Sequence, residues 1–142
     1  MRPLLLVTRL SALSLLGLGG CAFMPTPDPS QAWVNLRTSE TNTLQAAKVD
    51  TTELKDDRFF QVTPGQHELH MRLQFAVAPT NIGPDSQGLE RTCVLKLDYP
   101  GFAAGQQYKL VAGSIGFRPW AKLYDQQNQL LARARESRCG EV

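Results

Sequence analysis

The sequence predicts an all-β protein, a small antiparallel β-sandwich or barrel of about seven strands. From residue 31 onward, short runs of alternating apolar and polar residues follow one another, and turn residues separate them. No long helical period interrupts these runs. Seven or eight short strands in about 110 residues are typical of a sandwich or a barrel.

The first strands are predicted with unequal clarity. Apolar side chains alternate with polar ones over 32–36, which indicates a strand. Residues 44–54 fit either a helix or a short strand by their apolar spacing. Val49, Thr51 and Thr52 are β-branched, and they favour the strand.

The strongest pattern runs through the middle of the chain. A short apolar run at 59–62 precedes Pro64-Gly65, which suits a type II turn because proline presets φ and glycine accepts a positive φ. Five apolar residues then alternate with polar ones: Leu69, Met71, Leu73, Phe75 and Val77. This pattern predicts a long, half-buried strand that forms a main wall of the core.

The rest of the pattern predicts further strands and loops. Strands are expected at 93–99 and 108–112, and in a final hairpin at 120–124 and 130–135. Prolines and glycines predict loops at 78–88 and 113–119. The Pro100-Gly101 pair is expected to end the strand before it.

The first 21 residues have the pattern of an export signal. Arg2 and Arg9 are followed by an apolar run at 10–18 that is too short to span a bilayer. The run ends in Leu18-Gly19-Gly20-Cys21, which resembles the lipobox of bacterial lipoproteins. The resemblance implies that residues 1–20 are removed and that Cys21 carries the lipid. An ordinary signal peptide is the alternative interpretation.

The resemblance also implies a location. Residue 22 is alanine, and the absence of an aspartate after the lipidated cysteine favours the outer membrane, with the domain facing the periplasm. Pro25, Pro27 and Pro29 make residues 21–30 a lipidated, proline-rich tether. Residues 31–142 are then expected to form a single β-domain.

Charge and composition exclude several classes of function. The chain has 15 Lys and Arg and 13 Asp and Glu. Arg2 and Arg9 lie in the predicted signal, so the remaining basic and acidic residues balance. A balanced charge argues against a nucleic-acid partner, which needs a concentrated basic surface. The composition also excludes a multi-span membrane protein and a large enzyme.

The remaining cysteines predict a disulfide, and the histidines predict no metal site. Cys93 and Cys139 form an even pair in an oxidising compartment, which favours a bridge over two free thiols. The only histidines, His67 and His70, are three residues apart and would lie on opposite faces of one strand. No metal or cofactor is therefore expected apart from the covalent lipid on Cys21.

Two segments resemble known β-domains. The strand, Pro-Gly turn and alternating strand over 62–69 resemble a hairpin of PEGA-type surface domains, which implies an Ig-like or PEGA-like sandwich. The segments 105–110 and 120–125 resemble small uncharacterised proteobacterial lipoproteins. The resemblance covers about half of the domain and brings no catalytic residues.

The chain contains no recognised catalytic motif. Ser114 lacks the glycine that a nucleophile elbow places two residues before the serine, and no glycine-rich phosphate loop is present. Asp56, Asp57 and Asp98 show no pairing pattern and are interpreted as turn or surface residues. We therefore expect that the protein is not an enzyme.

Two groups of residues are candidate binding surfaces. Phe117, Arg118 and Trp120 combine an arginine with two aromatics, a composition common at interface centres. Their alternative role is core packing at a strand start. Arg133 and Arg135 would share one strand face, with Arg138 close behind, and would meet an anionic lipid, a lipopolysaccharide phosphate or an acidic protein. The alternative is a solvated face.

These observations lead to two hypotheses about function. The first is a lipid-anchored, non-catalytic interaction or structural protein of the cell envelope, with an envelope protein as its partner. The second is a module that binds a glycan or small ligand of the envelope, either peptidoglycan or lipopolysaccharide.

Overall fold

The protein is a β-sandwich of two five-stranded sheets, as the sequence predicts. A computed structural model describes residues 23–78 and 88–140. Sheet A has the strand order β4-β1-β7-β8-β9, and sheet B has the order β10-β6-β5-β2-β3. The predicted signal peptide, Cys21 and most of the predicted loop 78–88 lie outside the described residues. No helix in the described part of the chain is long and apolar enough to cross a bilayer.

The described residues form ten strands, compared with the seven or so expected. They are β1 (Ala32–Arg37), β2 (Thr43–Val49), β3 (Thr52–Glu53), β4 (Phe59–Val62), β5 (Gly65–Val77), β6 (Leu89–Phe102), β7 (Gln107–Ile115), β8 (Arg118–Tyr124), β9 (Leu130–Arg133) and β10 (Arg135–Cys139). Every strand pair is antiparallel except β1 with β7, which is parallel.

The long hairpin of β5 and β6 forms the centre of sheet B. Its pairing extends from Val77 opposite Leu89 to Gly65 opposite Phe102. The five predicted core residues of β5 are all at most 1% exposed. Partners from sheet A include Val34, Phe60, Leu110 and Leu123, which belong to the same buried cluster. The prediction that this strand is a wall of the core is confirmed.

The ambiguous segment at 44–54 is β-structure. Strands β2 and β3 pair with each other across a turn in which Asp50 has φ of 52°. Strand β2 also pairs with β5, which places Leu44 opposite Leu73 and Ala46 opposite Met71. The strand interpretation is therefore confirmed.

The Pro-Gly turn does not close a hairpin. Gly65 has the predicted positive φ, at 114°. However, β4 pairs with β1 in sheet A, whereas β5 pairs with β2 and β6 in sheet B. The turn therefore carries the chain from one sheet to the other. The resemblance to a hairpin at 62–69 is wrong for this pairing.

Two segments that were expected to interrupt the strands do so less than predicted. Strand β6 continues through Pro100-Gly101 because its register with β5 shifts there. Tyr99 lies opposite His67 and Phe102 lies opposite Gly65, so β6 has one more residue than β5 between these two pairs. The extra residue is a β-bulge, a position where proline is tolerated within a sheet. The predicted loop at 113–119 is only a two-residue turn, in which Gly116 has φ of 59°.

One end of the sandwich receives the segment that precedes β1, and the opposite end carries the β7–β8 turn. Residues 23–28 have no regular secondary structure, and the Asp28 amide donates to Gln61 Oε1 at 3.0 Å. The Gly105 amide donates to the Gln31 carbonyl oxygen at 2.9 Å. We call this the entry end. Strands β1 and β7 run in parallel from it to the distal end, where Gly116 and Phe117 form the β7–β8 turn.

A disulfide fixes the edge of sheet B. Cys93 and Cys139 are direct cross-strand partners with their Cα atoms 4.0 Å apart, and their sulfurs are bonded. The bridge joins β10 to β6 across 46 residues of sequence. The predicted pairing of the two cysteines is confirmed.

Candidate functional site

The strands of sheet A carry cations on their outer face. The five strands of this sheet contain no Asp or Glu, but they contain five cations: Arg37, Lys109, Arg118, Lys122 and Arg133. Alternation directs these five away from the core, because their neighbours Leu110, Ala121 and Leu123 are buried. Acids that balance the overall charge therefore lie elsewhere in the molecule.

Two aromatic rings lie among these cations. Lys122 Nζ is 5.3 Å from the centre of the Trp120 ring, and Lys109 Nζ is 5.6 Å from the centre of the Tyr124 ring. Trp120 and Tyr124 are both half-buried. The ring faces and the ammonium groups thus form one surface, which has apolar contact area and positive charge side by side.

Trp120 lies on a backbone that has no side chain beneath it. Strand register places it opposite Gly113, and a Cβ at residue 113 would lie 2.8 Å from Trp120 Cζ2. Glycine at this position lets the indole approach the sheet closely. The ring is therefore held in place by contact with strand β7.

The other tryptophan is unavailable for contact with a ligand. Trp33 is 3% exposed and stacks on Phe59 with ring centres 4.1 Å apart. Its Nε1 donates to Asn35 Oδ1 at 2.9 Å. Trp120 is thus the tryptophan that is partly open to solvent.

A cavity of about 440 Å³ extends from Trp120 towards the distal end. The loop between β1 and β2 lines it with Thr38, Ser39 and Thr41, and Asn42 adds an amide. Thr38 Oγ1 donates to the Ala112 carbonyl oxygen at 2.9 Å, which fixes the loop against β7. An aromatic ring beside hydroxyl and amide groups is the composition that a sugar or another polyhydroxylated ligand requires.

Three of the six exposed large apolar side chains in the described part of the chain lie at the distal end. Ile115 is 77% exposed, Leu89 is 50% exposed and Phe117 is 36% exposed. The Arg91 guanidinium lies 5.7 Å from the centre of the Phe117 ring. The turn at 116–117 therefore presents an apolar tip with a cation beside it.

The structure separates the five residues that the sequence proposes as a binding surface. Phe117, Arg118 and Trp120 lie on the β7–β8 hairpin, and neither aromatic belongs to the core cluster. Arg133 ends β9 in the same sheet, opposite Lys122. Arg135 begins β10 in sheet B.

The expectation that Arg133 and Arg135 share a strand face is therefore wrong. The chain changes sheets between them, and the Ala134 amide donates to the Ala121 carbonyl oxygen at 2.8 Å. Arg135 donates to Asp98 Oδ2 at 2.6 Å and to Glu68 Oε2 at 3.0 Å. These hydrogen bonds raise the pKa of Arg135. Its charge is compensated within the molecule.

The sequence interpretation missed Lys109, Lys122 and Tyr124. A usable signal was present, because Arg118, Trp120, Lys122 and Tyr124 alternate along β8. Alternation of this kind places them on one face. Lys109 joins them only through strand pairing, opposite Tyr124.

A His-Asp pair at the entry end holds turns together. His67 Nδ1 is 2.7 Å from Asp50 Oδ2, and its Nε2 is 2.8 Å from the Thr63 carbonyl oxygen and 3.0 Å from Thr63 Oγ1. Because Nε2 donates to the nearer carbonyl oxygen, it does not accept a proton from the hydroxyl. The pair therefore links the β2–β3 turn to the β4–β5 turn and has no geometry for activating a nucleophile.

Within the described ranges, one group of side chains has the spacing of metal ligands: Cys93, Glu136 and Cys139. The two sulfurs are bonded to each other in the disulfide. They are therefore not thiolates, which are the form that binds a metal.

Comparison of the chain with protein-family models, with curated proteins and with solved structures finds no match. The site must therefore be interpreted from its own geometry.

Proposed function

We propose that the protein is a lipid-anchored, non-catalytic binding protein of the outer membrane, held at Cys21, whose domain faces the periplasm. The observation that carries the binding role is the outer face of sheet A, whose strands have five cations and no carboxylate and on which the half-buried rings of Trp120 and Tyr124 lie beside two lysines. The lipobox-like residues 18–21 support the anchor.

The charge on this face supports a ligand rather than a purely structural role. Like charges on one face repel each other, and no acid in the strands of sheet A offsets them. An anionic ligand removes this repulsion when it binds, and the uncompensated field steers such ligands to the face. Neighbouring Trp120 and Tyr124 add apolar area against which a sugar ring stacks.

The chemistry therefore favours an anionic glycan of the envelope. Its carboxylates or phosphates contact the lysines and arginines, and its sugar rings contact Trp120 and the hydroxyl-lined cavity beside it. Peptidoglycan fragments and the phosphorylated saccharide of lipopolysaccharide both have this composition.

Tryptophan fluorescence tests this proposal. The mature lipidated protein, purified from membranes in a nonionic detergent, is titrated with soluble peptidoglycan fragments, with delipidated lipopolysaccharide saccharide and with neutral dextran. We expect a saturable change with at least one anionic glycan and none with dextran. Trp120→Phe should abolish the change, whereas Trp33→Phe should retain it, because Trp33 is only 3% exposed and its ring stacks on Phe59.

Charge variants give the matched control. Lys122→Gln should weaken the interaction by about tenfold, since a charge-assisted contact contributes on the order of 1.5–3 kcal/mol. Lys96→Gln removes the same charge from sheet B and should change the affinity by less than about twofold. Equal losses in both variants, or no signal with any anionic glycan, would contradict the proposal.

A protein partner is a second candidate, and the distal tip favours it. Ile115 and Phe117 are exposed beside Arg118 at the end opposite the chain entry. Aromatic and arginine side chains are enriched at interface centres. Crosslinking in intact envelopes should then recover a partner whose yield falls with Ile115→Asp but not with Lys96→Gln. Recovery that Ile115→Asp leaves unchanged would rule out the tip as the contact.

The anchor is tested by intact mass of the protein purified from membranes. The expected mass is that of residues 21–142 with acyl chains on Cys21. An unmodified full-length mass would contradict both the anchor and the proposed location.

A further inference from the structure

A second concave surface lies on the outer face of sheet B. It is a cavity of about 390 Å³, and the segment that links β3 to β4 forms one of its sides. Four lysine and arginine side chains and two carboxylates line it: Lys48, Lys55, Arg72, Arg138, Glu53 and Asp57. Two positive charges are therefore left over within this cavity.

Strand register brings these cations together from distant parts of the sequence. Arg72 on β5 and Arg138 on β10 both lie opposite Val94 of β6, one on each side of it. Lys48 on β2 lies opposite His70 of β5. Val94 is 8% exposed and forms part of the cavity lining. Two guanidinium groups thus flank one small apolar side chain.

The cavity cations are not neutralised by the protein. In the described part of the chain, none of the four forms an ion pair or a side-chain hydrogen bond. The Nε of Arg72 is shielded from solvent and has no acceptor. Of the carboxylates, Asp57 accepts a hydrogen bond from Gln45 Nε2 at 2.9 Å.

Arg135 lies on the same strand as Arg138, β10, but outside the cavity, and its contacts differ from those of Arg138. Arg135 has two carboxylate partners, at 2.6 and 3.0 Å. On β10, therefore, one guanidinium is satisfied within the molecule and the other, Arg138, is left without an acceptor. Arg138 is exposed, so water solvates it, but the shielded Nε of Arg72 costs free energy because it lacks an acceptor, and an anionic ligand removes that cost.

We infer that this cavity binds a phosphate-bearing anion, either a phosphate monoester or a diphosphate. Arginine forks match the geometry of phosphate oxygens, and lysines add point charges around them. The two leftover positive charges complement the two or more negative charges that such a group carries. The volume lies within the range of small-ligand sites. The inference concerns a different sheet from the proposed glycan face and does not rest on it.

Calorimetric titration tests the inference. The mature protein, purified from membranes in a nonionic detergent, is titrated with inorganic pyrophosphate at constant ionic strength. Arg138→Gln and Lys55→Gln should each weaken binding about tenfold or more, because each removes a charge-assisted contact. Both side chains are exposed, so their replacement should leave the unfolding midpoint unchanged. Arg72→Gln should have the largest effect.

The controls separate a site from general attraction between charges. Lys96→Gln removes a cation from the same sheet face outside the cavity, and Lys122→Gln removes one from sheet A. Each should change pyrophosphate binding by less than about twofold. A loss in Lys96→Gln equal to that in Arg138→Gln would overturn the inference.

A second titrant distinguishes the sources of the phosphate. Monomeric dihexanoyl phosphatidic acid presents a lipid phosphate, and dihexanoyl phosphatidylcholine is its control. Binding of phosphatidic acid that depends on Arg138 supports a lipid headgroup, whereas binding of pyrophosphate alone supports a soluble phosphorylated compound. No binding of either titrant to the unsubstituted protein would overturn the inference.

Discussion

The two sheets of the sandwich have five strands each but differ in the charges that their strands contain. The strands of sheet A contain five cations and no carboxylate, whereas those of sheet B contain six cations and five carboxylates. In sheet B, Arg135 and Arg91 have carboxylate partners. In sheet A, Lys109 and Lys122 instead lie against aromatic rings. An overall balance of charge therefore conceals an uncompensated face.

The sheets also differ in how they are held together. Sheet B contains the long β5–β6 hairpin and a disulfide at its β10 edge. Sheet A ends in the four-residue strand β9, which has no covalent link. We therefore expect a substitution in one sheet to act mainly on the stability of that sheet.

Removal of the disulfide should have the largest effect. Closure of a loop across 46 residues stabilises by at most about 4 kcal/mol in the chain-entropy model. The double variant Cys93→Ala/Cys139→Ala should lower the free energy of unfolding by up to that amount, measured by urea denaturation. Reduction of the unsubstituted protein should reproduce the shift. A midpoint that does not respond to reductant would show that the bridge does not stabilise sheet B.

An added methyl group on sheet A should have a smaller effect. Gly113→Ala places a Cβ 2.8 Å from Trp120 Cζ2, so the indole has to move outward. Overpacking of this kind costs about 1–3 kcal/mol, and the lower end applies because Trp120 is only half-buried. We expect a red-shifted tryptophan emission and weaker glycan binding.

A double-mutant cycle isolates this contact. Gly113→Ala should cost little stability when Trp120 is already alanine, because the clash is gone. The measurement is urea denaturation of the two single variants and the double variant. Additive costs would mean that Gly113 is required for a reason other than the position of the indole.

The sequence predicts strands well because a period of two is a local property. Alternation along β5 identifies its buried face without knowledge of its partners, and the structure confirms all five residues. Which strands pair depends on contacts between distant residues, and local pattern does not contain them. For this reason the predicted hairpin around Pro64-Gly65 and the predicted shared face of Arg133 and Arg135 are both wrong.

The residues of the candidate site also differ in whether local pattern or strand pairing brings them together. Alternation along β8 places Arg118, Trp120 and Lys122 on one face, but the sequence analysis assigned residue 118 to a loop and missed Lys122. The absence of acids from that face becomes visible only when the five strands of sheet A are known. Likewise, Arg72 and Arg138 come together through pairing with β6, across 66 residues of sequence (138 − 72).

Acid should destabilise the protein through sheet B and the connecting segments, because the strands of sheet A have no carboxylate to protonate. Asp50, in the β2–β3 turn, is one such group. Its Oδ1 accepts the Glu68 amide at 2.8 Å, and its Oδ2 lies 2.7 Å from His67 Nδ1. The backbone hydrogen bond, followed by the contact with His67, lowers the pKa of Asp50 below its usual value of 3.8.

The direction of the pH effect follows from this lowered pKa. The ionised carboxylate stabilises the folded state fully above the unfolded pKa, and this stabilisation is lost as pH falls below 3.8 through the lower folded pKa. Asp50→Asn keeps a side-chain oxygen that accepts the Glu68 amide, and asparagine tolerates the positive φ, but it carries no charge. The urea midpoints of Asp50→Asn and of the unsubstituted protein should therefore differ at about pH 7 and lie closer together at about pH 3. Midpoints that fall in parallel would show that Asp50 is not the group through which acid acts. The same comparison for Lys122→Gln should give parallel curves, because that change lies on the sheet without carboxylates.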